Sequence, residues 1–301
     1  MVFELMDANL YDLISGRRDH LDQNLVISLG YQMFVALEHM HKNGIFHRDI
    51  KPENILVDKT GTKLKLADLG SCRSLNANPP MTEYIATRWY RSPECLLTDG
   101  HYGVEMDIWG AGCVLFEIIA LFPLFPGSDE VDQVNRIHKV VGSPEAELLA
   151  SLEEKGNSKI NYKFSTMKGI GIKHFIPHAS LDCVDLLVKT MIYDHKKRIN
   201  SEDAVQHKYF SELYEKEKTV LETSVEKDKP MPVLKKKLTL RKHARVRDDT
   251  KLVDNRNKHT NVRNVALAQK EAKKAAEQDS KNRKTIKMRN ANHSDNLKVR
   301  F

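Results

Sequence analysis

His47-Arg48-Asp49-Ile50-Lys51-Pro52-Glu53-Asn54 is the stretch of sequence that decides how the rest of the chain is interpreted. Nineteen positions after Asp49 comes a second acidic turn, Asp68-Leu69-Gly70. A carboxylate can accept the proton of an incoming hydroxyl, and carboxylate and carboxamide oxygens are hard ligands that suit magnesium ions. The two segments therefore indicate a site where a proton acceptor and a metal ion act together.

The two segments have the form H-R-D-x-x-x-x-N followed by D-[FL]-G, which resembles the two-part signature of protein kinases. The resemblance implies that Asp49 is the catalytic base and that Lys51 steadies the transferred phosphoryl group as a point charge. It also implies that Asn54 and Asp68 bind the magnesium ions that bridge the phosphates of ATP. A lysine two residues after the aspartate is typical of Ser/Thr kinases. The alternative is a chance cluster of charges in a loop, which would require both motifs to arise by coincidence.

Three later motifs narrow the resemblance. They are Thr82-Glu83-Tyr84, the run A-T-R-W-Y-R-S-P-E at 86–94, and D-I-W-G-A-G-C at 107–113. Their order is similar to that of the kinase group that contains the MAP kinases and cyclin-dependent kinases. Residues 70–74 and 93–100 are most similar to the MAK/MRK-overlapping kinases, in the branch of the male-germ-cell-associated and intestinal-cell kinases. The resemblance covers residues 1–211 and implies ATP and Mg²⁺ as cofactors, with Ser/Thr-Pro protein substrates and an upstream activating kinase as partners.

The segment after the acidic turn resembles a phosphorylated activation lip. Thr82 and Tyr84 match its two phosphoacceptor positions. Arg88 and Arg91 follow Tyr84 closely enough to bind a phosphotyrosine through charge-assisted hydrogen bonds, and Arg48 is placed to pair with a phosphothreonine. Without the kinase resemblance, an ordinary surface loop would explain the same residues. Arg91 also resembles the residue that favours proline after the target hydroxyl.

Two further contacts are implied by the resemblance. Glu94 and Arg198 resemble a buried ion pair, and loss of either partner is expected to cost about 3–5 kcal/mol because the other charge stays buried. The resemblance identifies residues 47–54 as the catalytic loop, and Asp107 resembles a residue that holds the backbone of this loop from the start of a central helix.

The apolar run from Ile108 to Phe125 is long enough to suggest a membrane span. Glu117 lies in its middle, however, and Pro123 interrupts its end. A buried core helix is therefore predicted, with no membrane span, and the resemblance places this helix over Met106–Leu121.

The predicted fold is protein-kinase-like, with a mainly α-helical C-terminal lobe and small β-hairpins. Apolar spacing predicts helices over 24–42, 129–141 and 181–191, and strands over 55–57 and 63–66. No G-x-G-x-x-G motif and no V-A-I-K-like strand precede the catalytic loop. The N-terminal β-lobe is therefore expected to be absent, and the chain is expected to open with the end of a strand at 1–7. By resemblance, the backbone of Glu4 and Met6 faces the adenine and Leu56 lies beneath it.

The charge divides the 301-residue chain into two parts. Residues 212–301 carry 25 Lys and Arg against 13 Asp and Glu, a net charge of +12, and residues 1–211 carry 23 against 28, a net charge of −5. A kinase domain is thus predicted over 1–211 and a basic tail, mostly disordered or helical, over 212–301. The basic clusters are typical of nuclear-import or nucleic-acid-binding segments, and also of a solvated tail.

Four scattered cysteines and an acidic N-terminus without a basic lead-in favour a reducing compartment and no secretory signal. Cytoplasm is the expected location. The nucleus remains open because of the tail, and the cilium because of the resemblance.

Overall fold

The computed structural model describes residues 2–77, 80–81, 88–156 and 161–227, with side chains described up to residue 220. Helices dominate these ranges, and the prediction of a mainly helical fold is confirmed. The α-helices are α1 (Leu10–Ile14), α2 (Gln23–Lys42), α3 (Pro93–Leu97), α4 (Glu105–Ala120), α5 (Glu130–Val141), α6 (Ala146–Glu153), α7 (Leu181–Thr190), α8 (Ser201–Val205) and α9 (Ser211–Lys227).

Five short strands form two small antiparallel sheets in the described part of the chain. The strands are β1 (Ala8–Asn9), β2 (Ile45–Phe46), β3 (Ile55–Val57), β4 (Leu64–Leu66) and β5 (Arg73–Ser74). One sheet has the order β1-β3-β4, and the other pairs β2 with β5. In the β3-β4 hairpin, Ile55 pairs with Leu66 and Val57 with Leu64. This hairpin connects the two motifs from which the site was predicted.

Helix α4 is the centre of the core. Its residues from Met106 to Ala120 are buried, and the side chains of Trp109 and Phe116 are completely enclosed. A helix that is apolar all around its circumference must be covered on every side, and α4 packs against both α2 and α7. The prediction of a buried core helix is confirmed, and no described helix is long and apolar enough to cross a membrane.

Helix α4 also approaches the catalytic loop closely at Gly110. A Cβ atom built on Gly110 would lie 3.1 Å from the Cβ of Ile50 and 3.3 Å from the carbonyl oxygen of Ile50. The absence of a side chain therefore lets the helix backbone support the loop directly.

The prediction of a strand at the start of the chain is wrong. Residues 2–6 have no regular structure, and the first strand is Ala8–Asn9. Phe3 is 77% exposed and Leu5 is 94% exposed. A strand needs hydrogen-bonded neighbours, and no described strand pairs with residues 2–6. The basic clusters of the tail lie outside the described residues.

Candidate active site

The backbone of the catalytic loop is held by Asp107, near the start of α4. The Asp107 carboxylate accepts hydrogen bonds from the backbone N–H of His47 and of Arg48, each at 2.7 Å. Arg48 has a φ of +75°, a left-handed conformation that is costly for a residue with a side chain. The two hydrogen bonds compensate for that cost. The anchoring role that the resemblance implied for Asp107 is thus confirmed as a contact.

Hydrogen bonds join the catalytic loop to the acidic turn. His47 Nε2 lies 2.8 Å from the carbonyl oxygen of Ala67, and the Ala67 N–H donates to the carbonyl of Asn54 at 2.8 Å. Asp68 is the next residue, and it too has a left-handed backbone, with φ 56°. The residues that sequence analysis grouped into one site therefore meet at the base of the β3-β4 hairpin.

Asp49 is oriented by two nitrogen donors. Its Oδ2 atom accepts from Lys51 Nζ at 2.8 Å and from Asn54 Nδ2 at 2.7 Å. The side chain of Asp49 is only 5% exposed, and that of Lys51 is 16% exposed. A buried carboxylate requires such partners, and here they also fix the direction in which its oxygens point.

A cavity of about 490 Å³ lies beside the β3-β4 hairpin and reaches Asp68. Its lining includes Glu4, Met6, Leu56 and Asp68, all of which were predicted as cofactor-binding residues. Phe3, Lys65, Leu66, Ala67 and Leu69 complete the lining. The volume falls within the range of small-molecule sites. Four of the six residues predicted to bind the cofactor thus surround one space, whereas Lys51 and Asn54 do not line it.

The predicted magnesium ligands have donor atoms suited to that ion. The Asn54 Nδ2 group donates both to the carbonyl and to the carboxylate of Asp49, which directs the Asn54 Oδ1 atom away from these partners. Asp68 is exposed toward the cavity. Among the described residues, no cluster of three or more His, Cys, Asp or Glu side chains forms a metal cage. One or two protein oxygens, completed by water and substrate phosphate, are the usual way to bind Mg²⁺.

The predicted regulatory arginines do not all lie together. Arg48 and Arg91 line the same small cavity beside Asp49. The guanidinium of Arg48 also lies 5.7 Å from the centre of the Tyr102 ring. Arg88 instead donates to the carbonyl of Ser128 at 3.2 Å. The predicted phosphoacceptors Thr82 and Tyr84 lie outside the described residues.

The predicted Glu94–Arg198 ion pair is present and buried. Arg198 donates from Nη1 to Oε1 at 2.7 Å and from Nη2 to Oε2 at 2.9 Å. Burial alone would raise the pKa of Glu94, but the charge and hydrogen bonds of Arg198 outweigh it and hold that pKa below its ordinary value. The bidentate geometry ties the start of α3 to the segment before α8.

Sequence reasoning missed two buried networks near the site. His41 of α2 contacts the Asp107 carboxylate through Nε2 at 3.0 Å and the Ser201 hydroxyl through Nδ1 at 3.1 Å. Tyr90 donates its hydroxyl to Glu117 at 2.7 Å, and burial raises the pKa of Glu117 to about 7. The sequence hinted at the second network only through Glu117, a polar residue inside an apolar run. It gave no indication of the first.

Comparisons with known proteins agree with this geometry. A sequence model of the family described as "Protein kinase domain" matches residues 1–210. The chain is 48% identical over 221 residues to the MAPK/MAK/MRK overlapping kinase of Homo sapiens, an alignment that covers 73% of this chain and 52% of the human protein. It is 49% identical over 210 residues to the protein of the same name from Mus musculus, covering 70% and 49% of the two chains.

A third relative is the serine/threonine-protein kinase MAK of Homo sapiens, which is 38% identical over 210 residues. That alignment covers 69% of this chain and 33% of the relative. The chain thus spans about half the length, or less, of these curated relatives. The matched domain and the arrangement of Asp49, Asn54 and Asp68 lead to one conclusion: this chain belongs to the protein kinase family.

Proposed function

We propose that this chain provides the helical lobe of a protein serine/threonine kinase that transfers the γ-phosphate of ATP to Ser or Thr hydroxyls. The single observation that carries the proposal is the direct connection between Asp49, Asn54 and Asp68 through hydrogen bonds and one peptide link. Catalysis of phosphoryl transfer depends mainly on positioning and charge neutralisation. This chain holds a base, a lysine and two oxygens suited to a metal ion in fixed positions. These groups would supply part of the positioning and part of the charge neutralisation.

Each site residue has one task in this proposal. Asp49 accepts the proton of the substrate hydroxyl, and Lys51 keeps the Asp49 carboxylate oriented while its charge faces the transferred group. Asn54 and Asp68 would hold Mg²⁺, which neutralises charge on the phosphates when bound. Leu56 and the backbone of Glu4 and Met6 would enclose the adenine in the 490 Å³ cavity.

The substrates and regulation are also part of the proposal. Arg91 lies beside Asp49, which suits selection of a Ser/Thr-Pro sequence on a protein substrate. Phosphorylation of Thr82 and Tyr84 by an upstream kinase would supply negative charge to Arg48 and Arg91. We assign the kinase domain to 1–211 and an anion-binding role to the basic tail over 212–301, with nucleic acid or an import receptor as its partner. We assign the protein to the cytoplasm. The basic tail would also suit the nucleus, and the family resemblance would also suit the cilium.

A second candidate function is a binding module without catalysis. It is favoured by one observation, namely that no G-x-G-x-x-G motif occurs in the 301-residue sequence. In protein kinases such a loop covers the phosphates, and a strand lysine assists it. We therefore propose that the chain alone transfers little or no phosphate, although it retains the residues that contact metal and nucleotide.

The test measures ATP binding and phosphate transfer separately on the purified 1–301 chain. We expect weak ATP binding that requires Mg²⁺, is lost in Asp68→Asn and is kept in Asp49→Asn. Asp19→Asn is the matched control because Asp19 is exposed and lies outside the site. ATP binding that ignores both Mg²⁺ and Asp68→Asn would refute the assigned site. Transfer to a Ser/Thr-Pro peptide that disappears in Asp49→Asn would instead refute the expected inactivity and the binding-module alternative.

A further inference from the structure

A buried Ser–His–Asp chain lies behind the catalytic loop. The Ser201 hydroxyl, in the first turn of α8, lies 3.1 Å from His41 Nδ1, and His41 Nε2 lies 3.0 Å from Asp107 Oδ2. The side chain of Asp107 has no exposure to solvent, and that of His41 is 9% exposed. Ser201 is 6% exposed. Solvent water therefore has little access to any of the three groups.

For an ionised Asp107 and a neutral His41, one arrangement of hydrogens satisfies all three groups. An ionised carboxylate only accepts hydrogen bonds, so His41 Nε2 must carry a hydrogen that it donates to Asp107. In a neutral imidazole the other nitrogen, Nδ1, is then an acceptor, and the Ser201 O–H is the donor within reach. Removal of this hydroxyl leaves Nδ1 without a hydrogen bond in a nearly closed site, which is unfavourable.

The orientation of His41 affects the catalytic loop through one carboxylate. Asp107 Oδ2 accepts from His41 and also from the backbone N–H of His47, while Oδ1 accepts from the N–H of Arg48. A rotation of the imidazole changes the position of Oδ2, and with it the pair of bonds that holds Arg48 at φ +75°. Asp49 directly follows this residue.

We infer that Ser201 is a positioning residue for the catalytic loop and that it acts through His41 and Asp107. Its role is to keep the His41 ring in the orientation and tautomer that donate to Asp107. Any effect of Ser201 on catalysis rests on the proposed function. The hydrogen bonds from Ser201 through His41 to Asp107 do not depend on it. The test therefore measures the loop directly and without phosphate transfer.

The experiment is hydrogen exchange at the amides of His47 and Arg48, measured by NMR on the full 301-residue chain. Ser201→Ala should speed exchange at both amides by about two- to tenfold, as expected for loss of one hydrogen bond. The His41 Nδ1 resonance should move to the position of a ring nitrogen without a hydrogen bond. Ser201→Thr retains the hydroxyl and should restore both readouts.

Ser180→Ala is the control because Ser180 is the residue that caps the start of α7, and its hydroxyl accepts from the Cys183 N–H at 3.2 Å. It should destabilise locally without changing the His47 and Arg48 amides. The inference is overturned by equal exchange at these amides in Ser201→Ala and Ser180→Ala. It is also overturned by a Ser201→Ala effect that persists in a His41→Phe background. Absence of Mg²⁺-dependent ATP binding in the wild-type chain, together with the expected exchange changes in Ser201→Ala, would refute the proposed function and support this inference.

Discussion

Replacement of Glu94 by Gln tests how strongly the buried ion pair stabilises the fold. The change keeps the size of the side chain but removes its charge, and it turns one of the two oxygens that face Arg198 into a donor. The guanidinium then loses an acceptor while it remains buried. Arg198 keeps hydrogen bonds to the carbonyls of Glu105 and Ile192, at 2.8 and 3.1 Å.

The expected loss is about 3–5 kcal/mol, the range for breaking one side of a buried charge pair. The remaining carbonyl partners place the expectation at the lower end of this range. With urea m-values of about 1–3 kcal/mol/M, the unfolding midpoint should fall by about 1–3 M. The free energy of unfolding of a folded domain is typically about 5–15 kcal/mol, so this loss would be a large share of it.

The effect should also depend on pH. The pKa of Glu94 is lowered in the folded protein, so its stabilisation is complete above the ordinary value of 4.5 and is lost as the pH falls below that value. The stability difference between wild type and Glu94→Gln should therefore shrink in acid. Urea unfolding followed by circular dichroism at neutral and acidic pH measures both expectations.

Glu38→Gln is the control, because Glu38 of α2 pairs with Lys42 at 2.8 Å and this pair is partly exposed to solvent, with side-chain exposures of 19% and 55%. An exposed i,i+4 pair contributes about 0.3–0.5 kcal/mol. If Glu94→Gln shifted the midpoint no more than Glu38→Gln does, the argument that the Arg198 pair ties α3 to the rest of the domain would be wrong.

Three further predictions concern other contacts. Burial raises the pKa of Glu117 to about 7, so the stability of the wild type should decrease as the pH rises from 4.5 to about 7. Glu117→Gln should remove this decrease, which is measured by comparing urea midpoints at pH 5 and pH 8. Gly100 has φ +69°, and a Cβ there would lie 2.2 Å from the Met81 carbonyl oxygen. Gly100→Ala should therefore cost about 1–2 kcal/mol or more, measured as a lower Tm, and an unchanged Tm would contradict this. Tyr31 donates to Glu217 at 2.5 Å, so Tyr31→Phe should speed amide exchange in α9 and leave α4 unchanged; equal protection in α9 would contradict this contact.

The sequence predicts the elements with a strong local pattern. Helix α2 was expected over 24–42 and begins one residue earlier, and α4 was expected over 106–121 and is shifted by one residue toward the N-terminus. The strand at 55–57 has the predicted bounds. These segments succeed because apolar spacing and a buried face follow directly from residue type.

Contacts between distant residues are much harder to predict. Nothing in the local pattern of His41 indicates Ser201, which lies 160 positions later and meets it only after α2 and α8 have packed together. The apolar residues at the start of the chain suggested a strand, but a strand depends on partners that sequence spacing does not reveal. The placement of Glu94 opposite Arg198 came from the family resemblance and not from periodicity.

Backbone hydrogen bonds pair β3 with β4, and Ala67 makes two more next to them. These bonds affect how the sequence of this region can vary among relatives. They fix Asn54 and Asp68 at the open end of the hairpin, opposite its connecting loop at 58–62. Insertions or deletions in the connecting loop would change its length without altering the distance between Asn54 and Asp68. Hydrogen bonds at the open end of the hairpin set the distance between Asn54 and Asp68. Natural variation in the length of the loop is therefore expected to leave the candidate site unchanged.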